Sequence, residues 1–223
     1  MRSSSNYIVF LTTILLIFSI SCTDNATGDE EGLSESLDPV EEVRLIPGAE
    51  STTVTVNKHP DGKAFFNIEL SGIEFNEVID NGTREGWCID VWKPINHNGG
   101  VYNAIELYNT DRVEKWKSLN YLLNIKEELY TDDPELTWRE IQLAMWSLRV
   151  NPEFDLNEAD LESLPGSMQI DGEPNFNAQK VTDIVEKVER GYEEFDYPEG
   201  SKLAIVIAMP EDLQTMITVV EKK

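Results

Sequence analysis

Two side chains in this chain could react with one another: the thiol of Cys88 in "GWCIDVW" and the carboxamide of Gln142 in "TWREIQLAMWSL". Each is unusual in its setting. The sequence holds two cysteines, Cys22 and Cys88, and Cys22 sits at the end of an apolar leader. If Cys22 is modified there, Cys88 is a lone thiol in an exported protein. Gln142 falls on the apolar face of a helix, flanked by Trp138, Met145 and Trp146. A buried amide without partners costs a few kcal/mol. Three chemistries are open. Cys88 is an inert core thiol and Gln142 satisfies a backbone group; or Cys88 is a catalytic nucleophile; or the two side chains react with each other.

The second option needs a base, and the only histidines are His59, next to Pro60 in a turn, and His97, in the loop "KPINHNGG". Neither lies in a recognisable partner motif. A zinc site lacks ligands, because no second available cysteine and no paired histidines exist. The acidic stretches "TDDPE" and "DLNEADLE" do not have the spacing of a calcium loop and read as solvated surface. No metal and no cofactor is expected.

The elements that must position the pair can be read from periodicity. Thr137, with Glu140 three residues on, makes a capping box. Trp138, Ile141, Met145 and Leu148 then recur at helical spacing. Before it, Val113, Trp116, Leu119, Leu122 and Leu123 predict a helix in "DRVEKWKSLNYLLNIKEEL". After it, Val181, Ile184, Val185 and Val188 predict a third. "LNEADLESL" reads as a short helical turn. "STTVTVN" and "KAFFNIELSGI" form a hairpin around "KHPDG", and "FNEVID" and "REGWCIDVW" read as two strands around an Asn-Gly turn. "VYNAIELYN" reads as one strand. "SKLAIVIAMP" and "LQTMITVVEK" close the chain as strands expected to rejoin the first sheet. Strands, helices, then strands imply an α+β fold, a β-sandwich or barrel interrupted by a helical insertion. All five tryptophans, at 87, 92, 116, 138 and 146, lie between the Cys88 strand and the Gln142 helix.

"GWCIDVW" resembles the strand around the reactive cysteine of bacterial thioester domains, where an aromatic-Cys-aliphatic-Asp pattern is common. "EIQLAMW" resembles that family's second signature, usually Thr-Gln-x-Ala followed by an aliphatic residue and Trp. Gln142, Ala144, Met145 and Trp146 match it, and Ile141 stands where Thr is usual. "WKSLNYLLN" is similar to the helical stretch that precedes that signature. The resemblance runs from about Trp87 to Leu148, more loosely over the folded part. It implies a thioester-domain-like fold at the tip of a surface adhesin, with an internal Cys88–Gln142 thioester that captures an amine on another molecule. Such a bond hydrolyses when wet, so Trp87, Trp138, Met145 and Trp146 are expected to wall it in. Asp90 orients a group near the sulfur or points outward from an edge strand. Each molecule would react once, so this is covalent binding and not turnover catalysis. The rival expectation is a non-covalent glycan- or protein-binding module in a degenerate thioester fold.

The N-terminus bounds location. Arg2, the apolar run from Tyr7 to Ile20 and small Ser21 before Cys22 read as a secretory signal over residues 1–21. A cysteine directly after the small residue resembles the lipobox of bacterial lipoproteins, which implies acylation of Cys22; an ordinary signal peptide is the alternative. Residues 22–50 begin "CTDNATGDEEGLSESLDPVEE" and read as an acidic tether. That run resembles the surface-export signal of Bacteroidota lipoproteins, or is a featureless spacer. Residues 51–223 are expected to form one domain. The formal net charge of −24 disfavours nucleic acid as a partner and repels anionic membrane surfaces. A link to the cell envelope, and an outer-membrane or surface location, would therefore come through the lipid.

Overall fold

The computed structural model describes residues 42–150, 154, 156, 164–210 and 212–223. The expected leader, Cys22, most of the tether and the short turn "NEADLES" lie outside the described residues. Among the described residues no helix is long and apolar enough to cross a membrane.

Eight strands form one antiparallel sheet. They are β1 (Arg44–Leu45), β2 (Thr53–Lys58), β3 (Phe66–Ser71), β4 (Gly82–Cys88), β5 (Asn98–Tyr102), β6 (Glu106–Asn109), β9 (Lys202–Ala208) and β10 (Met216–Glu221), in the order β1-β6-β9-β10-β4-β3-β2-β5. A two-residue pairing of β7 (Gln169–Ile170) with β8 (Glu173–Pro174) stands apart. Among the described residues three α-helices, α1 (Lys117–Asp132), α2 (Trp138–Met145) and α3 (Ala178–Gly191), are inserted between β6 and β9, which are neighbours in the sheet. The α+β class with a helical insertion is therefore observed, and the C-terminal strands do rejoin the first sheet, β10 pairing with β4.

The sheet must be strongly curled. β5 and β6 are six places apart, about 29 Å across a flat sheet at about 4.8 Å per strand. The link from Tyr102 to Glu106 can span only about 14 Å when fully extended. The two sides of the sheet are thus brought round toward one another, as in a barrel. Ala104, with φ of 56°, makes the corner. Alternation on β2 and β3 buries Val54, Val56, Phe66, Ile68 and Leu70 on one face. β9, in the interior of the sheet, buries every residue from Leu203 to Ile207.

Two expectations change. Residues 75–81 form no strand. Asn81 is not a hairpin turn residue; its side chain takes the N–H of Ile73 at 2.8 Å and donates to the Ile73 carbonyl at 3.0 Å. Asn76 likewise accepts from Val78 and Ile79. Side-chain pairing has replaced the ladder there. "VYNAIELYN" divides at Ala104 into β5 and β6, because the chain leaves one side of the sheet for the other.

Candidate functional site

The helix that carries Gln142 starts where the sequence places it. Thr137 accepts from the N–H of Arg139 at 3.2 Å, and the Glu140 carboxylate accepts from the Thr137 N–H at 3.0 Å. The other Glu140 oxygen accepts from the N–H of Asn177, the N-cap of α3, at 2.9 Å. One buried carboxylate therefore ties the starts of two helices together. Ile141 and Met145 fix the rotation of α2 by burial, and Gln142 is turned toward the sheet.

At β4, Phe66 is the first residue of β3 and pairs with Gly86, so the ladder on that side runs out before Cys88. On the opposite side Ile89 donates to the Thr215 carbonyl at 2.9 Å. The backbone groups of Cys88 therefore face the vacated side. Gln142 fills it. The Cys88 N–H donates to Gln142 Oε1 at 2.9 Å, and Gln142 Nε2 donates to the Cys88 carbonyl at 2.9 Å. Both residues are buried, Cys88 at 1 % exposure and Gln142 at 0 %. This answers why an amide sits on an apolar face: it completes a strand that has lost its neighbour. The same device recurs where β9 outruns β6. There Asn124 pairs with both backbone groups of Lys202, at 2.8 and 2.9 Å, and Asn120 accepts from Ala204 at 2.8 Å. Gln142 differs in that the backbone it pairs with carries a thiol.

Cys88 is one of the residues lining a cleft of about 550 Å³, with Phe65, Trp92, His97, Trp146, Ser167 and Gln214 also in its wall. Trp92 is 57 % exposed at its rim. The 90–95 loop is fastened from β10's approach. Gln214 donates to the Asp90 carbonyl through its side chain and to the Pro94 carbonyl through its N–H, and Thr215 donates to Asp90 Oδ2 at 2.7 Å. Asp90 also faces Lys93 at 3.6 Å. It is a loop anchor with a charge close enough to affect the sulfur. Burial, with the Asp90 charge adding to it, pushes the Cys88 thiol well above its ordinary value, so it is protonated at neutral pH. Partial burial and nearby Lys58 lower His97, keeping it neutral there.

The aromatic residues divide among different places. Trp146 lines the Cys88 cleft, at the start of a π-helical turn, Trp146–Val150, that follows α2. Trp87 projects from the other face of β4, against Lys126 at 5.3 Å from its ring. Met145 is wholly buried, and Trp138 packs edge-on to Phe65 at 4.6 Å in the neighbouring cavity. Phe65 and Gln214 were not legible as site residues. Gln214 acts across 124 positions, and nothing local in "EDLQTM" marks it. Among the described residues no cluster of metal-ligating side chains is present.

No protein-family model matches this chain, and no curated protein matches it. Among solved structures it is similar to the N-terminal thioester domain of a surface protein from Clostridium perfringens. The identity is 10 % and the TM-score 0.44, over 76 % of this chain and 100 % of that one. Likeness this loose leaves the functional reading to rest on the Cys88–Gln142 geometry itself.

Proposed function

We propose that this protein is a cell-surface lipoprotein adhesin that forms an internal thioester between Cys88 and Gln142 and captures an amine on a partner protein. The observation that carries the reading is that the Cys88 N–H donates to Gln142 Oε1. It polarises the carbonyl of the same carboxamide that the Cys88 sulfur would attack, and it favours the oxyanion that such an attack creates. In the first step the sulfur–carbon bond forms, the carbon–nitrogen bond breaks, and the thiol proton leaves with the nitrogen as ammonia. In the second an amine attacks the acyl carbon and the sulfur leaves. The amine's proton returns to that sulfur, and an amide to Gln142 remains. Burial at 1 % exposure restricts water, and the cleft gives a partner amine an approach.

Anchoring through Cys22, and display at the outer membrane or cell surface, belong to the same proposal and rest on the leader sequence. Intact mass tests the chemistry. Purified wild-type protein should be lighter than its sequence by one ammonia, and Cys88→Ala and Gln142→Ala should each have the full mass of their sequences. A wild-type protein of full mass, with Cys88 open to thiol reagents, would favour a non-covalent binding module that uses the exposed Trp92.

A further inference from the structure

Beside the Cys88 cleft lies a second cavity, of about 450 Å³, and the two share Phe65, His97, Gly166 and Ser167 as a common wall. Its chemistry is opposite to that of the molecule. In a chain of net charge −24, the described residues that line this cavity include Lys58, Arg139 and both histidines, His59 and His97, and no carboxylate. Among the described residues neither Lys58 nor Arg139 is ion-paired, although Asp and Glu number 42. Arg139 is held in place: its Nε donates to the Ser167 carbonyl at 2.8 Å, and its guanidinium lies over the Trp138 ring at 4.6 Å. That leaves its terminal nitrogens as donors, fixed on an aromatic floor. A planar carboxylate is the group such a fork receives best.

We infer that this cavity is a recognition subsite for a single carboxylate on the partner polypeptide, an Asp or Glu side chain close to the lysine that enters the Cys88 cleft. The inference rests on the amine-capture reading, which makes the partner a lysine-bearing polypeptide. The shared wall makes the two cavities neighbours, so one short peptide segment could occupy both. The surrounding negative field repels polyanions, which restricts the ligand to an isolated acidic group in a locally neutral or basic segment. An acidic residue elsewhere on the partner would gain nothing from the cavity.

Binding can be measured without the covalent step. The Cys88→Ala protein cannot form a thioester, and calorimetry on it would compare two acetylated, amidated peptides that differ only in Glu or Gln two residues from a central lysine. The Glu peptide should bind about three- to fivefold more tightly, a preference that weakens as salt is raised. Lys58→Gln should reduce that preference. Lys58 is exposed, so the variant is not expected to disturb the fold. Arg139→Gln should abolish the preference. Equal binding of the two peptides, no binding of either, or a preference unchanged in Lys58→Gln and Arg139→Gln would overturn the subsite. A preference for the Glu peptide in a protein whose wild type has full mass would retain the subsite and remove the thioester, so the two failures are distinguishable.

Discussion

Gln142 gives both ends of its carboxamide to one residue, and that residue carries the thiol. In the Cys88→Ala background, where the carboxamide is retained, Gln142→Ala should cost about 2–4 kcal/mol in denaturant unfolding, because it leaves the buried N–H and C=O of position 88 unpaired. Asn124→Ala, which frees the Lys202 groups in the same way, is the matched control. It should cost somewhat less, since that site is only part-buried, and it should leave the mass deficit intact. Ile141 is fully buried. Ile141→Thr tests whether the hydroxyl usual in the resembled motif assists the bond: the fraction of molecules lacking ammonia should rise, at a stability cost of about 1–2 kcal/mol. Both residues of the pair were legible in the sequence, one as a leftover cysteine and the other as a polar residue on an apolar stripe. What Gln142 pairs with was not, because a ladder that stops short is a property of two strands and not of either one.

At the scale of elements, Glu140 joins the caps of α2 and α3. Glu140→Ala should therefore destabilise more than loss of an ordinary capping partner, by about 2–3 kcal/mol in thermal or denaturant unfolding. It should also lower the yield of thioester, because α2 sets the position of Gln142. The capping box and the helical stripe were plain in the sequence, and α2 begins where they place it. The strand expected over residues 75–80 is absent because Asn76 and Asn81 satisfy the local backbone with their own side chains, an option that apolar alternation does not reveal. The division of "VYNAIELYN" was hidden for a different reason. Its two halves are separated by the curl of the whole sheet, while residue types on either side of Ala104 are similar. Lys126, 1 % exposed, is ion-paired to Glu85 on the Trp87 face of β4. Breaking that pair by Glu85→Ala should cost about 3 kcal/mol, since the lysine would be left buried with only Glu127, at 3.6 Å, nearby.

For the molecule as a whole, the raised Cys88 thiol links stability to pH. A free thiol whose folded value lies above the ordinary 9.0 holds its proton in the fold after the unfolded chain has lost it. Stability from this source is complete below about pH 9 and declines as pH rises further. Protein whose thioester has been opened should show that decline in thermal scans from pH 8 to pH 10. Protein with the bond intact, having no thiol to titrate, should show a smaller decline, left to the phenols of Tyr130 and Tyr197, which burial also raises. The net charge and the apolar run from Tyr7 to Ile20 are read from the sequence, and the proposed anchor rests on the latter. Labelled palmitate should enter the wild-type chain in cells and fail to enter Cys22→Ala.

Reaction with methylamine followed by peptide mapping reads out whether Gln142 is an acyl group held on the Cys88 sulfur. One methylamine per molecule should be attached at Gln142, with one Cys88 thiol released for each adduct. Cys88→Ala and Gln142→Ala should take up none. Unmodified Gln142 in protein whose Cys88 thiol was free from the start would mean that no thioester joins the two residues.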